Sequence, residues 1–326
     1  MLSIDHVTKR FDGVVAVDDL TFSIPEGGIF GFLGPNGAGK TTTMRMILDI
    51  IRPDTGHISW RGKPVGEQER KHFGYLPEER GLYQKMKVKE QLVFFARLYG
   101  LDARTASERV EEWLARFGIA ERQNSRLDEL SRGNQQKVQV IASLLHEPDL
   151  ALLDEPFTGL DPINGELLED CLRELRDAGK TVVLSSHRME QVEELCDKVA
   201  IISRGRLRLT GNVGEIRDGA VRRVIDVRTV SGRVASAEEL GLKPLAPARD
   251  YLRFALEPGV DPQGVLSGLL QRETVELFAL ERPSLQEIFV EAVKEDDEDE
   301  WDDDPEGERA GISLTADARN SGSARE

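Results

Sequence analysis

Residues 28–43 read Gly-Ile-Phe-Gly-Phe-Leu-Gly-Pro-Asn-Gly-Ala-Gly-Lys-Thr-Thr-Thr. The first six, Gly28–Leu33, form an apolar run of strand character. Gly34-Pro35-Asn36-Gly37-Ala38-Gly39-Lys40-Thr41 then completes a GxxxxGK[ST] pattern, and the residues from Lys40 to about Ile51 read as a helix. Strand, glycine-rich loop and helix N-terminus in this order build a phosphate cradle. The loop turns several N–H groups inward, and the helix start adds a partial positive charge. Lys40 would reach the β- and γ-phosphates, and the Thr41 hydroxyl would hold Mg²⁺. Gly34, Pro35, Asn36, Gly37, Ala38, Gly39, Lys40, Thr41 and Thr42 form the expected contact set.

A cradle of this kind needs acids on a neighbouring strand. Leu150-Ala151-Leu152-Leu153-Asp154-Glu155 supplies them: four apolar residues suit a central parallel strand covered on both faces, and the carboxylates fall at its C-terminal edge, where open α/β sheets bind ligands. Asp154 is expected to hold Mg²⁺ through water, and Glu155 to act as general base on the attacking water.

The segment Leu130-Ser131-Arg132-Gly133-Asn134-Gln135-Gln136-Lys137 precedes the Asp154 strand with a helix between. It resembles the LSGGQ signature of the ABC ATPases. Thr158-Gly159-Leu160-Asp161 is similar to that family's D-loop and His187 to its switch histidine, and the order of all these motifs matches the family over about residues 1–220. The resemblance implies an α/β P-loop NTPase core with a helical insert. It also implies ATP and Mg²⁺ as cofactors and a head-to-tail pairing with a second nucleotide-binding subunit, identical or not. ATP would then lie between one subunit's P-loop and the other's Ser131 and Gly133, which fall at a predicted helix N-terminus. His187 would contact the γ-phosphate, Asp161 would lie across the interface, and Phe11 would stack on adenine.

Three positions, in two motifs, depart from the common pattern. Glu78 follows Gly74-Tyr75-Leu76-Pro77 where a glutamine is usual; its carboxylate still suits contact with Mg²⁺ or water but adds negative charge beside phosphates. Arg132 and Asn134 replace Gly and Gln in the signature. The Gly81-Leu82-Tyr83 stretch, the signature variant and the closing Pro283-Ser284-Leu285-Gln286-Glu287-Ile288-Phe289 resemble ATPases of ABC-2 type exporters, the sodium-extrusion type foremost and antibiotic efflux close by. That branch implies a separate integral-membrane permease and a cytoplasmic subunit held on the inner face of the membrane. Leu82, Tyr83 and Met86 are the expected docking surface, the other reading being that they pack on the insert's own core. The other functional reading is an ABC ATPase acting on the ribosome or nucleic acid. Such proteins usually carry paired nucleotide units, coiled coils or basic arms, none of which is evident.

Composition agrees with these expectations. The chain has 326 residues, 39% hydrophobic and 31% charged, with a formal net charge of −16. Residues 295–308 hold eleven acids and no base, leaving about −5 on the rest, so no basic face for nucleic acid is evident. No apolar run approaches the length of a membrane span, and no secretion leader is visible. Cys171 and Cys196 read as reduced core residues, and no His/Cys spacing suggests a metal knuckle.

Strands are expected at Ser3–Lys9, Gly28–Leu33, Leu150–Asp154, Thr181–Ser185 and Lys198–Ser203, with the helical insert at about 85–147. Its first helix sets Val88, Leu92, Phe95 and Tyr99 on one apolar face. Residues 221–293 read as a small α+β unit: strand Val221–Val227, strand Tyr251–Leu256, helix Pro262–Arg272, strand Thr274–Leu280 and helix Ser284–Lys294. This unit carries no catalytic cluster. Residues 294–326 read as a disordered acidic tail.

Overall fold

The structure, a computed structural model, describes residues 1–79, 81–220, 223–234, 237–245, 250–257 and 259–290. The expected tail at 294–326, and the ends of the strand at 221 and of the helix at 294, lie outside the described residues. In chain order the elements are β1 (Leu2–Phe11), β2 (Val14–Ile24), β3 (Gly28–Leu33), α1 (Lys40–Ile47), β4 (Thr55–Trp60), β5 (Lys63–Pro64), α2 (Glu67–Arg70) and β6 (Phe73–Leu76). There follow α3 (Val88–Leu98), α4 (Ala103–Arg116), α5 (Arg132–Leu144), β7 (Leu150–Asp154), α6 (Pro162–Asp177), β8 (Thr181–Ser186), α7 (Met189–Leu195), β9 (Lys198–Ser203), β10 (Arg206–Asn212) and α8 (Val213–Gly219). The C-terminal unit holds β11 (Arg223–Thr229), β12 (Leu242–Pro244), β13 (Leu252–Leu256), α9 (Pro262–Leu270) and β14 (Val275–Glu281), with residues 285–290 helical.

The central sheet has the order β10-β9-β3-β8-β7-β6, parallel except for the β9–β10 hairpin. Its inner strands β9, β3, β8 and β7 are buried on both faces, so consecutive residues feed two different cores. Ile29, Leu33, Ala151, Leu153, Val182 and Leu184 join the helices α3–α6 on one side. Phe30, Phe32, Leu150, Leu152 and Val183 pack on the other with α1 and the antiparallel sheet β2-β1-β4-β5. Helix α7 approaches β3 so closely that a Cβ on Gly31 would stand 2.3 Å from Val192 Cγ1, which fixes glycine there.

The insert differs in one detail from its expected face. Val88, Leu92 and Ala96 are fully buried, with Gln91 beside them, whereas Phe95 is half-buried and Tyr99 is exposed. At about 3.6 residues per turn the face seeded by Val88 and Leu92 returns at Ala96. Phe95 falls on its flank, where it stacks with Tyr83 (centroids 6.1 Å apart), and Tyr99 stacks on His146 at 3.6 Å. Burial lowers the His146 imidazole's pKa to about 4, so the ring stays neutral.

The antiparallel C-terminal sheet, β12-β13-β11-β14, has its own core of Ile225, Val227, Phe254, Leu256, Val265 and Leu269. The short β12 was not expected from sequence. The unit is also latched to the nucleotide core: Leu285 is fully buried within the main core. Its N–H donates to Glu193 Oε2 on α7 at 3.1 Å. Glu193 also pairs with Arg217, which in turn donates to the Pro283 carbonyl at 3.1 Å. Replacing Leu285 by alanine is expected to cost about 2–5 kcal/mol, read as a lower urea midpoint of the full-length protein.

Candidate functional site

The alternation along β7 positions the acids. Leu150 and Leu152 face the α1 side, so Asp154 does too; its register partner across the sheet is Ser185. Asp154 is 1% exposed. Its Oδ1 accepts a short hydrogen bond from the Ser185 hydroxyl, and its Oδ2 has no partner. Ser185 Oγ in turn accepts the Glu155 N–H at 3.1 Å. Glu155 turns the chain off the strand with φ 49°, a left-handed conformation that costs a non-glycine residue roughly 1–3 kcal/mol. Its carboxylate oxygen lies 2.9 Å from His187 Nδ1.

On the facing loop, Lys40 opens α1 from beneath Gly39. A Cβ at Gly39 would stand 2.5 Å from the Ala16 carbonyl, so the β1–β2 hairpin lies against the phosphate loop. Lys40 is 7% exposed and donates to the carbonyls of Gly34 (2.7 Å) and Pro35 (3.2 Å). Burial lowers the pKa of its ammonium, opposed by the negative fields of Glu155, Asp154 and Glu78. One buried cation thus serves three acids and two carbonyls. Thr41 and Thr42 follow it on the half-buried first turn. The unpartnered Asp154 oxygen and the Thr41 hydroxyl are hard oxygen donors of the kind Mg²⁺ takes, so the residues present fit that ion.

A second group gathers at the start of α5. Ser131 is its N-cap, accepting the Asn134 N–H at 3.3 Å. Gly133 lies beside Gly159, whose carbonyl would be 3.3 Å from a Cβ there. Asp161 caps α6 through the Asn164 N–H at 3.1 Å, which holds its carboxyl below the usual carboxylate range. Phe11, 42% exposed, ends β1 at the hairpin turn, with Lys9 Nζ 5.4 Å from its ring centroid. Glu78 is exposed on the loop after β6.

The residues expected from sequence therefore fall into two clusters. Lys40, Asp154, Glu155 and His187 stand together, within the field of Glu78. Ser131 and Gly133 open α5, and Gly133 lies beside Gly159, two residues before Asp161. His187 pairs with Glu155, a partner that sequence reasoning does not assign to it. Three further residues were missed. Ser185 bonds both Asp154 and Glu155. Gln136 donates to the Pro156 carbonyl at 3.2 Å. Gln139 donates to Pro77 and Glu79. Only strand register could have revealed Ser185, and the two glutamines look like ordinary helix residues in sequence.

This arrangement defines a P-loop nucleotide hydrolase: a phosphate cradle on a central parallel sheet, a buried lysine, and paired acids on the neighbouring strand. Comparison with known proteins narrows the class. Residues 17–158 match the ABC transporter family model, and residues 211–293 match the C-terminal domain of ATP-binding proteins of the DrrA1-3 type. An uncharacterized ABC transporter ATP-binding protein of Bacillus subtilis, YhaQ, is 43% identical over 90% of this chain and 98% of its own. The linearmycin resistance ATP-binding protein LnrL of the same organism is 32% identical over 89% of this chain and 97% of its own. A solved ATP-binding subunit of an ABC transporter superposes with a TM-score of 0.63 at 32% identity, covering 67% of this chain and 92% of that one. The chain belongs to the ABC transporter ATP-binding family, and it is an ATP-binding, ATP-hydrolysing subunit. Subunits of this family dimerise and work with a membrane permease. No helix among the described residues is long and apolar enough to cross a membrane.

Proposed function

We propose that this chain is the motor of an ABC-2 type exporter, moving sodium or a drug-like compound through a separate permease from the cytoplasmic face of the membrane. The observation that carries the reading is the constellation of buried Lys40, Asp154 and Glu155 with the exposed His187 paired to Glu155, joined to a DrrA-like C-terminal unit. The similarity to a linearmycin resistance protein supports efflux.

In this mechanism two nucleotide-binding subunits close head to tail on two ATP molecules. The P-loop residues Gly34 to Thr42 and Lys40 hold the phosphates of one ATP; Ser131 and Gly133 of the facing subunit cap its γ-phosphate, and Phe11 stacks on the adenine. Asp161 lies across the interface. Thr41, Asp154 and Glu78 would hold Mg²⁺, which when bound neutralises charge on the phosphate oxygens. Glu155 takes the proton of the attacking water, and His187 orients Glu155 and senses the γ-phosphate. Catalysis is positioning and electrostatic stabilisation. Loss of phosphate removes the Ser131 and His187 contacts and reopens the pair.

For the permease, the proposed seat is the aromatic patch on the insert. Tyr83 and Phe94 are 56% and 40% exposed and lie with Phe95 in one cluster. Beside them an open cleft of about 810 Å³ is lined by Met86, Glu90, Phe94 and Leu98. Leu82 packs inward on the main core and so supports the seat from beneath. Tagged Glu155→Gln protein, solubilised from cells in detergent with ATP and Mg²⁺, is expected to bring down a multi-span membrane protein. Ribosomes or nucleic acid in its place would remove the transport assignment. Tyr83→Ala/Met86→Ala is expected to reduce that recovery at least tenfold with purified-protein ATPase activity unchanged; full recovery with normal transport would move the seat elsewhere.

A further inference from the structure

Helix α5 carries a buried amide that the mechanism above leaves unused. Gln139 is 4% exposed, and its Nε2 donates to the carbonyls of both Pro77 and Glu79, each at 3.1 Å. These carbonyls flank Glu78. The two hydrogens of a primary amide match two acceptors, and no other neutral side chain of this length offers two donors on one atom. The same helix begins at Ser131 and Gly133, and its Gln136 holds the Pro156 carbonyl, one residue beyond Glu155.

We infer that Gln139 is a positioning residue that ties Glu78 to the signature helix. The inference rests on the proposed role of Glu78 in the site. The Glu78 carboxylate acts on Lys40 through its field, so its effect depends on where the loop holds it. Gln139 grips the backbone on both sides of that residue. A movement of α5, as when the facing subunit engages Ser131, is therefore carried into the loop bearing Glu78. Loss of the grip leaves Glu78 chemically intact but misplaced, and misplacement by about 1 Å can cost roughly a hundredfold in rate.

The test compares full-length wild type, Gln139→Met, Glu78→Ala and the double variant. Gln139→Met is expected to lower ATPase kcat roughly tenfold to a hundredfold, leave KM for ATP within about threefold, and lose most of its effect in the Glu78→Ala background, because coupled residues are non-additive. In nucleotide-free protein, amide exchange around Leu76 and Glu78–Glu79 is expected to speed up while that of β7 stays unchanged. Gln139→Glu keeps the shape and offers at most one donor in place of two; it is the second variant and is expected to behave alike. Equal loss in both backgrounds would overturn the inference, as would wild-type kcat in both Gln139 variants beside an altered Glu78→Ala. Wild-type kcat in Glu78→Ala would overturn the role of Glu78 itself, and the inference with it.

Discussion

Glu155→Gln is expected to bind ATP with wild-type affinity and to hydrolyse it at least about a hundredfold more slowly, the range typical for loss of a positioned general base. The structure makes the substitution unusually clean. Glu155 is 8% exposed and its backbone is fixed by the Ser185 hydroxyl and the turn at φ 49°. The amide is isosteric and can still meet His187 Nδ1, so shape and neighbours persist while the proton acceptor is lost. Removing one charge also relieves crowding among Glu155, Asp154 and Glu78, so ATP is held no less tightly. ATP-bound protein should accumulate as a closed pair, seen by size exclusion with ATP and Mg²⁺. Turnover within threefold of wild type would show that another group takes the proton.

Lys40→Ala is expected to fail earlier, with ATP affinity reduced at least about a hundredfold, or roughly 2.7 kcal/mol. Lys40 is the cation placed among the carbonyls of Gly34 and Pro35 and the fields of three acids. Without it a polyphosphate meets an electronegative wall, and the burial that strengthens attraction in the wild type strengthens repulsion in the variant. Calorimetric titration with ATP reads the loss directly. An affinity within threefold of wild type would mean that the loop N–H groups and helix start suffice by themselves.

Much of the fold could be read from the chain because its central strands are apolar without interruption. The runs Gly28–Leu33, Leu150–Asp154 and Lys198–Ser203 match the observed strands residue for residue, and Thr181–Ser185 falls one residue short. The end of β11, and both ends of β13, α9 and β14, lie within two residues of expectation, because their alternation is local. What depended on distant pairing could not be read in the same way. The short β12 is set by its neighbour β13. Ser185 acquires its role only through register with Asp154, and the Phe95 and Tyr99 rings found partners on Tyr83 and His146 rather than in the insert's core. In the site, the motif residues carried their chemistry openly. The groups that hold them did not, because a buried glutamine bonded to backbone carbonyls looks in sequence like any polar helix residue.

Leu285 has a bearing on how the molecule is made. The core of the nucleotide unit contains a side chain encoded some 65 residues after that unit's last helix, α8, ends. A ribosome adding about 5–20 residues per second delivers Leu285 several seconds after the rest of that core has emerged. Until then α7 lacks the N–H that Glu193 accepts, and an apolar socket beside it stands open to water. The core of the nucleotide unit is therefore completed by a residue made after that unit, and a product cut short between the two units leaves the ribosome with the unfinished socket exposed, as a substrate for chaperones and proteases.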